Sequence, residues 1–312
     1  MLIFKTYKRY KSAYKNYISV MWNLYKGKDT IEIILKNGHK EALSSESVFT
    51  LALLIENNVD VNEIQLSEFK KFTFHSNLVE LVRSGLEYQK AMEFFLNDKI
   101  PYKNHILVMH GLKKVGDIGG CFVKEEYKFL NVRDKVVVDI GSNMGDSSIY
   151  FALNGAEKVI ALEPVPYSFN LAVDNIKENN LEGKVELLNA GYGSDGDIVV
   201  DENYSGQNLI SSEKGKKVKI YSLKSLIDKY NIKNAVLKMD CEGCEYNLLN
   251  EDNSVLARFS KIQIEYHHGY PKLVEKLRNA GFIVNFTKPE KNFSSKHTDP
   301  TWLLGYIYAS KS

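Results

Sequence analysis

The chain has 312 residues, 44% of them hydrophobic, enough for one full-sized α/β domain and a smaller appended unit without disulfide or metal staples. Its 41 Lys+Arg and 39 Asp+Glu leave a net charge of +2, divided as 14 basic to 12 acidic over residues 1–100 and 27 to 27 over the remainder. The neutral remainder weighs against a nucleic-acid substrate, whose phosphates call for a clustered positive surface.

From Met1 to Lys28 there are seven Lys or Arg and no acid. Tyr7, Tyr10, Tyr14, Tyr17, Met21 and Leu24 recur there at three- and four-residue steps, which predicts one amphipathic helix with an aromatic stripe. Three partners suit such a stripe: the helix's own domain or a dimer mate, an anionic membrane surface touched peripherally, and RNA. Asn37-Gly38 between apolar runs predicts a β-hairpin over Thr30–Leu43, and Ser45–Asn57 and Leu78–Leu96 predict helices. Residues 1–100 therefore read as a small α+β unit without catalytic spacing. The longest apolar run, Val48–Ile55, is too short to span a bilayer.

Residues 101–312 form the second expected domain. Its connection to the first carries short strands at Ile106–Met109 and Gly120–Val123. From Asp134 onward strand-like runs (Val136–Ile140, Val159–Glu163, Lys184–Leu188, Ala235–Asp240, Ile262–Tyr266) alternate with helical ones (Ser147–Asn154, Tyr167–Asn179, Leu223–Tyr230, Pro271–Ala280). That alternation predicts a doubly wound parallel sheet. Asp197–Asp201 and Val218–Tyr221 suggest an added hairpin, whose loop Glu202–Lys217 is either a lid over a ligand or a plain surface loop.

The first strand ends in Asp139 and runs into Gly141-Ser142-Asn143-Met144-Gly145, with Ser147 and Ser148 placed to cap the next helix. A dinucleotide fingerprint would have glycine where Asn143 stands, so a pyrophosphate, and with it a nicotinamide dehydrogenase, is disfavoured. Asp139 suits instead the ammonium of an S-adenosylmethionine tail or its water shell, and Glu163, at the end of the second strand, suits the ribose hydroxyls. A second dense segment, Lys238-Met-Asp-Cys-Glu-Gly-Cys-Glu245, follows the fourth core strand and turns Asp240 toward the same crevice. Glu242 and Glu245 follow at helical spacing. No other Cys pair exists to complete a zinc site with Cys241 and Cys244, and with no signal-peptide pattern the three cysteines read as buried packing thiols in a reducing, cytoplasmic setting.

Taken together, Val138-Asp-Ile-Gly-Ser-Asn-Met-Gly145, Glu163-Pro-Val-Pro166, Asn175-Ile, Asn179-Asn, Asn189-Ala190, the 238–245 segment and Ile264-Glu265 resemble the FkbM-type family of S-adenosylmethionine-dependent methyltransferases, over roughly Glu125 to Phe286. The resemblance implies a seven-stranded class I methyltransferase (Rossmann-like) sheet whose last strand is antiparallel, with Phe282–Phe286 and Trp302–Ala309 as the closing pair. It implies S-adenosylmethionine as cofactor, S-adenosylhomocysteine as product, and hydroxyl groups of natural products and sugars as acceptors. The chain departs from the family pattern in carrying cysteine at both 241 and 244.

The candidate cofactor-binding residues are Asp139, Gly141, Ser142, Asn143, Gly145, Glu163, Asn189, Ala190 and Asp240. Removal of an acceptor's hydroxyl proton needs a base within hydrogen-bond reach, and Asp240, Glu242, Glu265 and His267 are the candidates. A divalent cation held by such carboxylates stays open, with no metal ligands assigned. The expected function is O-methylation of a sugar, glycolipid or other small-metabolite hydroxyl. RNA methylation using the basic helix, and a cofactor-binding module without turnover, are the alternatives, and a homo-oligomer is compatible with each.

Overall fold

The structure is a computed structural model and describes residues 2–64, 66, 75–83, 85–97, 99–111, 118–204, 211–291 and 303–311. The chain divides into two compact units, Met1–Ile106 with Ile118–Lys124 and Leu107–Gly111 with Glu125–Ser312.

In the first unit Thr30–Ile34 (β1) and Lys40–Ser44 (β2) pair antiparallel. Gly38 takes a φ of +95° in the turn, and Asn37 Oδ1 accepts the His39 amide beside it. Ser44 caps the helix Ser45–Glu56 by accepting the Ser47 amide at 3.1 Å. The single helix expected over Met1–Lys28 is instead two, Leu2–Ala13 and Tyr17–Tyr25. The break has a long-range cause: the Lys15 amide donates to the Ile34 carbonyl at 2.6 Å, and Asn16 Oδ1 accepts the Ile34 amide at 2.8 Å. Residues 14–16 thus extend the hairpin edge, and edge pairing outweighs local helix periodicity. Tyr10 and Tyr14 are buried, with the Tyr14 hydroxyl donating to the Val48 carbonyl, so this half of the stripe packs on its own unit.

The long helix expected over Leu78–Leu96 is also two, His75–Arg83 and Tyr88–Asn97, interrupted at Gly85 with φ of +102°. Lys99–Tyr102 (β3) and His105–Val108 (β4) make a further two-stranded sheet. Gly120–Val123, expected as a strand, belongs to a π-helical turn, Gly119–Val123, closed by the Lys124 amide on the Gly119 carbonyl.

The second unit contains Val136–Ile140 (β5), Lys158–Leu162 (β6), Val185–Leu188 (β7), Ala190–Tyr192 (β8), Gly196–Val200 (β9), Lys216–Tyr221 (β10), Ala235–Met239 (β11), Phe259–Tyr266 (β12), Ile283–Phe286 (β13), Glu290–Lys291 (β14) and Leu303–Ser310 (β15). Its main sheet runs β13-β15-β12-β11-β5-β6-β7, with β14 added beside β15. β5 pairs parallel with both β6 and β11, β6 with β7, and β11 with β12, whereas β15 is antiparallel to β12 and β13. The helices Asp146–Leu153, Pro166–Glu178, Leu223–Tyr230 and Pro271–Asn279 supply crossovers. This is the seven-stranded class I methyltransferase order expected above, although Trp302 of the predicted closing strand lies outside the described residues. β8, β10 and β9 form a separate three-stranded sheet. The hairpin expectation holds for β9 and β10, but residues 205–210 of its loop lie outside the described residues.

Strand order reverses at β5: the chain winds outward through β6 and β7, then returns to β11 on the other side. Ligands of open α/β sheets bind at such a switch point, beyond the carboxyl ends of the strands.

Candidate active site

β5 is buried on both faces, which is why it reads as an uninterrupted apolar run. Gly141 follows with φ of +81°, and a Cβ there would lie 1.8 Å from the Asp240 carbonyl oxygen, so only glycine lets this loop cross the end of β11. The loop and its neighbours frame a partly open cleft, lined by Gly141 and Asn143 after β5, Leu162, Glu163 and Pro164 around the end of β6, Ala190 to Tyr192 on β8, and Asp240 to Glu242 after β11.

Glu163 is the best-defined group in that cavity. Its Oε2 accepts the Asn143 amide at 2.9 Å and its Oε1 the Val165 amide at 2.8 Å. Burial pushes this carboxyl up to about 8 against the pull of those two amides. Each oxygen keeps a further lone pair, so the side chain is built to accept a vicinal diol. Leu162, Ala190 and Tyr192 give the cavity apolar lining suited to a purine. On these grounds the cavity fits the S-adenosyl group.

Five expected cofactor residues line this cavity: Gly141, Asn143, Glu163, Ala190 and Asp240. The other four support it from behind. Asn189 donates to the Glu163 and Pro164 carbonyls, and Gly145, with φ of +87°, admits close packing against Ala172. The Ser142 side chain is fully buried. Asp139 is a correction. Its Oδ2 accepts the hydroxyls of Ser147 and Ser148, and its Oδ1 faces Lys238 Nζ at 3.1 Å, all inside the core, so it braces the loop instead of facing the cofactor tail. The two serines, expected as caps, are tied to this carboxylate. Lys238 Nζ also donates to the Gly141 carbonyl at 2.7 Å. Sequence reading missed this lysine because its role depends on register: Lys238 and Asp139 are direct partners across β11 and β5.

The 241–245 turn corrects two further expectations. Glu242 has φ of +56° and Gly243 φ of +115°, so the chain doubles back before it enters the short 3₁₀ helix Cys244–Asn250, which leaves Glu242 outside the helix and Glu245 inside it. That reversal brings Cys241 and Cys244 together in a disulfide with Cα atoms 5.5 Å apart, not two packing thiols, which removes the ground for expecting a reducing compartment. Cys121 is the buried free cysteine.

Below the turn sits Glu245, fully buried, which sequence reading noted but left without a role. One or other of its carboxylate oxygens accepts the Gly243 amide, the His267 amide and, at 3.0 Å, His267 Nδ1. The imidazole is thereby oriented so that Nε2 lies 3.4 Å from Glu242 and 3.9 Å from Asp240. Burial alone would depress His267. The Glu245 hydrogen bond and charge, followed by Glu242 and Asp240, reverse that and raise it to about 9. Burial raises Glu242 against the opposing pull of His267. Glu265 is raised to about 9 by burial and then by Asp240; neither it nor His267, which is 2% exposed behind Asp240 and Glu242, belongs to the lining of the cavity.

Asp240, Glu242 and His267 bring donor atoms within 4.8 Å of one another. A set of one imidazole and two carboxylates at that spacing can share a proton, and it has the donor chemistry to bind a divalent cation.

Strand order and the position of the cavity at the switch point are those of the class I methyltransferase (Rossmann-like) fold. The model of the methyltransferase FkbM domain family matches residues 139–284 of this chain. Over 69 residues, 22% of this chain, the sequence is 38% identical to a tRNA(Phe) (4-demethylwyosine(37)-C(7)) aminocarboxypropyltransferase of Pyrococcus horikoshii, 25% of which is covered. It is also 37% identical over 70 residues to a ribosomal protein L11 methyltransferase of Carboxydothermus hydrogenoformans, covering 21% of this chain and 23% of the relative. The chain thus spans about a quarter of the length of these curated relatives. Among solved structures, M. capricolum TrmK in complex with the natural cofactor product S-adenosyl-homocysteine is 13% identical, with 60% of this chain and 68% of that one covered at a TM-score of 0.38. Among the described residues no helix is long and apolar enough to cross a membrane.

Proposed function

We propose that this protein methylates a hydroxyl group of a sugar, glycolipid or other small metabolite. The observation that carries the reading is the Glu245–His267 pair, which presents an imidazole nitrogen beside Asp240 and Glu242 where they line the cofactor cavity. When bound, S-adenosylmethionine supplies an electrophilic sulfonium methyl group. Glu163 would hold the ribose diol, and Gly141 and Asn143 would border the group on the side of the first loop. His267 Nε2 would take the hydroxyl proton of the acceptor, and Glu245 would stabilise the resulting imidazolium. Asp240 and Glu242 orient the hydroxyl and offset the positive charge.

Because His267 titrates at about 9, its neutral form grows about tenfold per pH unit below that value. The expected kcat therefore rises with pH toward 9 wherever the chemical step limits. Glu245→Gln removes the group that raises His267, so the rise ends at lower pH. His267→Asn lowers kcat by roughly 10²- to 10⁴-fold while leaving S-adenosylhomocysteine affinity unchanged. A flat pH profile in the wild type, or wild-type turnover by His267→Asn, removes the imidazole from the mechanism.

The acceptor class is tested by incubation with methyl-labelled S-adenosylmethionine and separate pools of sugars, glycolipids and total RNA. Label entering the sugar or glycolipid pool supports the reading. RNA is the second reading, motivated by the basic residues of segment 1–28 and by the tRNA-modifying relative. It requires label in RNA alone and binding that weakens steeply with salt. S-adenosylhomocysteine binding without label in any pool would point to a module that does not turn over.

A further inference from the structure

The helix Tyr17–Tyr25 buries Val20 yet leaves Ile18, Trp22 and Tyr25 exposed at 70, 56 and 83%. Their spacing of four and then three residues puts them on one stripe. Ile18 and Trp22 continue into an apolar surface hollow of about 760 Å³ whose other walls are Tyr7, Tyr17 and Met21. Within segment 1–28 the charge has one sign, with Glu46 beside Met21, Leu24 and Lys28 from the neighbouring helix. Residues 1–28 hold seven basic side chains and no acid, and Lys8, Lys11, Lys15, Lys26 and Lys28 are all exposed. Arg9 differs, being paired with Glu56.

We infer that this face docks on an anionic membrane surface, with Ile18, Trp22 and Tyr25 entering the headgroup region and the surrounding lysines meeting lipid phosphates and carboxylates. Trp and Tyr favour that boundary because each ring has an apolar body and a polar tip, while lysine stems reach outward past the apolar layer. The combination of basic and aromatic residues is the interfacial one, and its attraction grows with the anionic lipid fraction. A second copy of this chain would set lysine-rich faces against each other. A nucleic-acid strand would stack its bases on open rings, but Trp22 already stacks on Tyr25 with centroids 5.9 Å apart and has Lys26 Nζ 4.8 Å from its ring. Insertion into a headgroup layer needs no free ring face.

The test is co-sedimentation of the full chain with phosphatidylcholine vesicles, with and without about 30 mol% phosphatidylserine. The bound fraction should rise by about tenfold or more with phosphatidylserine and fall back in roughly 0.5 M salt. In a Trp302→Phe background, Trp22 emission should shift to the blue on binding. Ile18→Ser/Trp22→Ser should abolish sedimentation while S-adenosylhomocysteine binding persists. Lys8→Glu/Lys28→Glu, which changes two exposed lysines and leaves the Lys26 contact on Trp22 in place, should weaken binding to phosphatidylserine vesicles alone. Absence of sedimentation, equal binding to both vesicle types, or a stable dimer in solution that Ile18→Ser/Trp22→Ser dissociates would overturn the inference.

Discussion

Replacing Glu163 by alanine weakens S-adenosylhomocysteine binding by roughly 10- to 100-fold, with the far-ultraviolet spectrum unchanged. The magnitude corresponds to the net loss of one hydrogen bond to a charged acceptor, worth about 1.5–3 kcal/mol. The carboxylate stands at the cavity wall with one backbone amide on each oxygen, so its orientation is fixed before a ligand arrives. Its elevated titration point adds a pH signature. Ribose hydroxyls donate more strongly to the ionised form, so affinity should increase as pH rises through about 8, and Glu163→Gln should flatten that dependence. The stability term has the opposite sign. Because folding raises this group from 4.5 to about 8, its contribution to stability is complete below 4.5 and is lost as pH rises through 8. Glu163→Gln therefore narrows the stability difference between pH 6 and pH 9. Calorimetric titration of both variants at those two pH values is the check, and wild-type affinity in Glu163→Ala would remove this residue from the site.

Lys238→Met should be the most destabilising single change in the second unit, costing about 3–5 kcal/mol, because it leaves the Asp139 carboxylate buried without its cation. Lys238 and Asp139 are 2% and 0% exposed, and Lys238 is raised despite burial, chiefly by the charge of Asp139 and then by Asp240 and Asp146. For a chain of this size that cost lowers the melting temperature by on the order of 10 °C. Asp139→Asn in the Lys238→Met background should recover much of the loss, since a neutral amide can still pair with Ser147 and Ser148. Equal melting temperatures for wild type and Lys238→Met would mean that the pair is not a brace. Cofactor affinity in Asp139→Asn should fall only as far as the loop relaxes.

The parts of the sequence that announced themselves were those whose pattern is local. β5 and β11 are apolar runs ended by a carboxylate, and the helix Leu223–Tyr230 carries its start signal in Ser222, whose hydroxyl accepts the Ser225 amide. The misread parts depend on partners far along the chain. Tyr14 leaves the helix because β1 offers an edge to Lys15 and Asn16. Asp139 turns inward because register sets Lys238 opposite it. Glu245 and His267 meet because two different strand ends converge, 22 residues apart in sequence. The disulfide rests on two consecutive left-handed residues, which no spacing rule foretells for Glu242. Of the site, the residues that line the cavity after β5 and β6 were therefore readable as a motif, whereas the pairing that sets the basicity of the imidazole was not.

Asn175 and Asn179, one helical turn apart, each bind main-chain atoms upstream of the family-matched segment. Asn175 accepts the His110 amide and donates to the His110 and Met144 carbonyls, and Asn179 accepts the Val108 amide and donates to its carbonyl. Two side-chain amides thus imitate the edge of a strand, and one of them also grips the cofactor loop at Met144. Recognition through backbone atoms is indifferent to which side chains 108 and 110 carry, so those positions are free to drift in sequence while the path of the chain stays fixed. Proline is the exception: at either position it removes the very N–H that the asparagine holds.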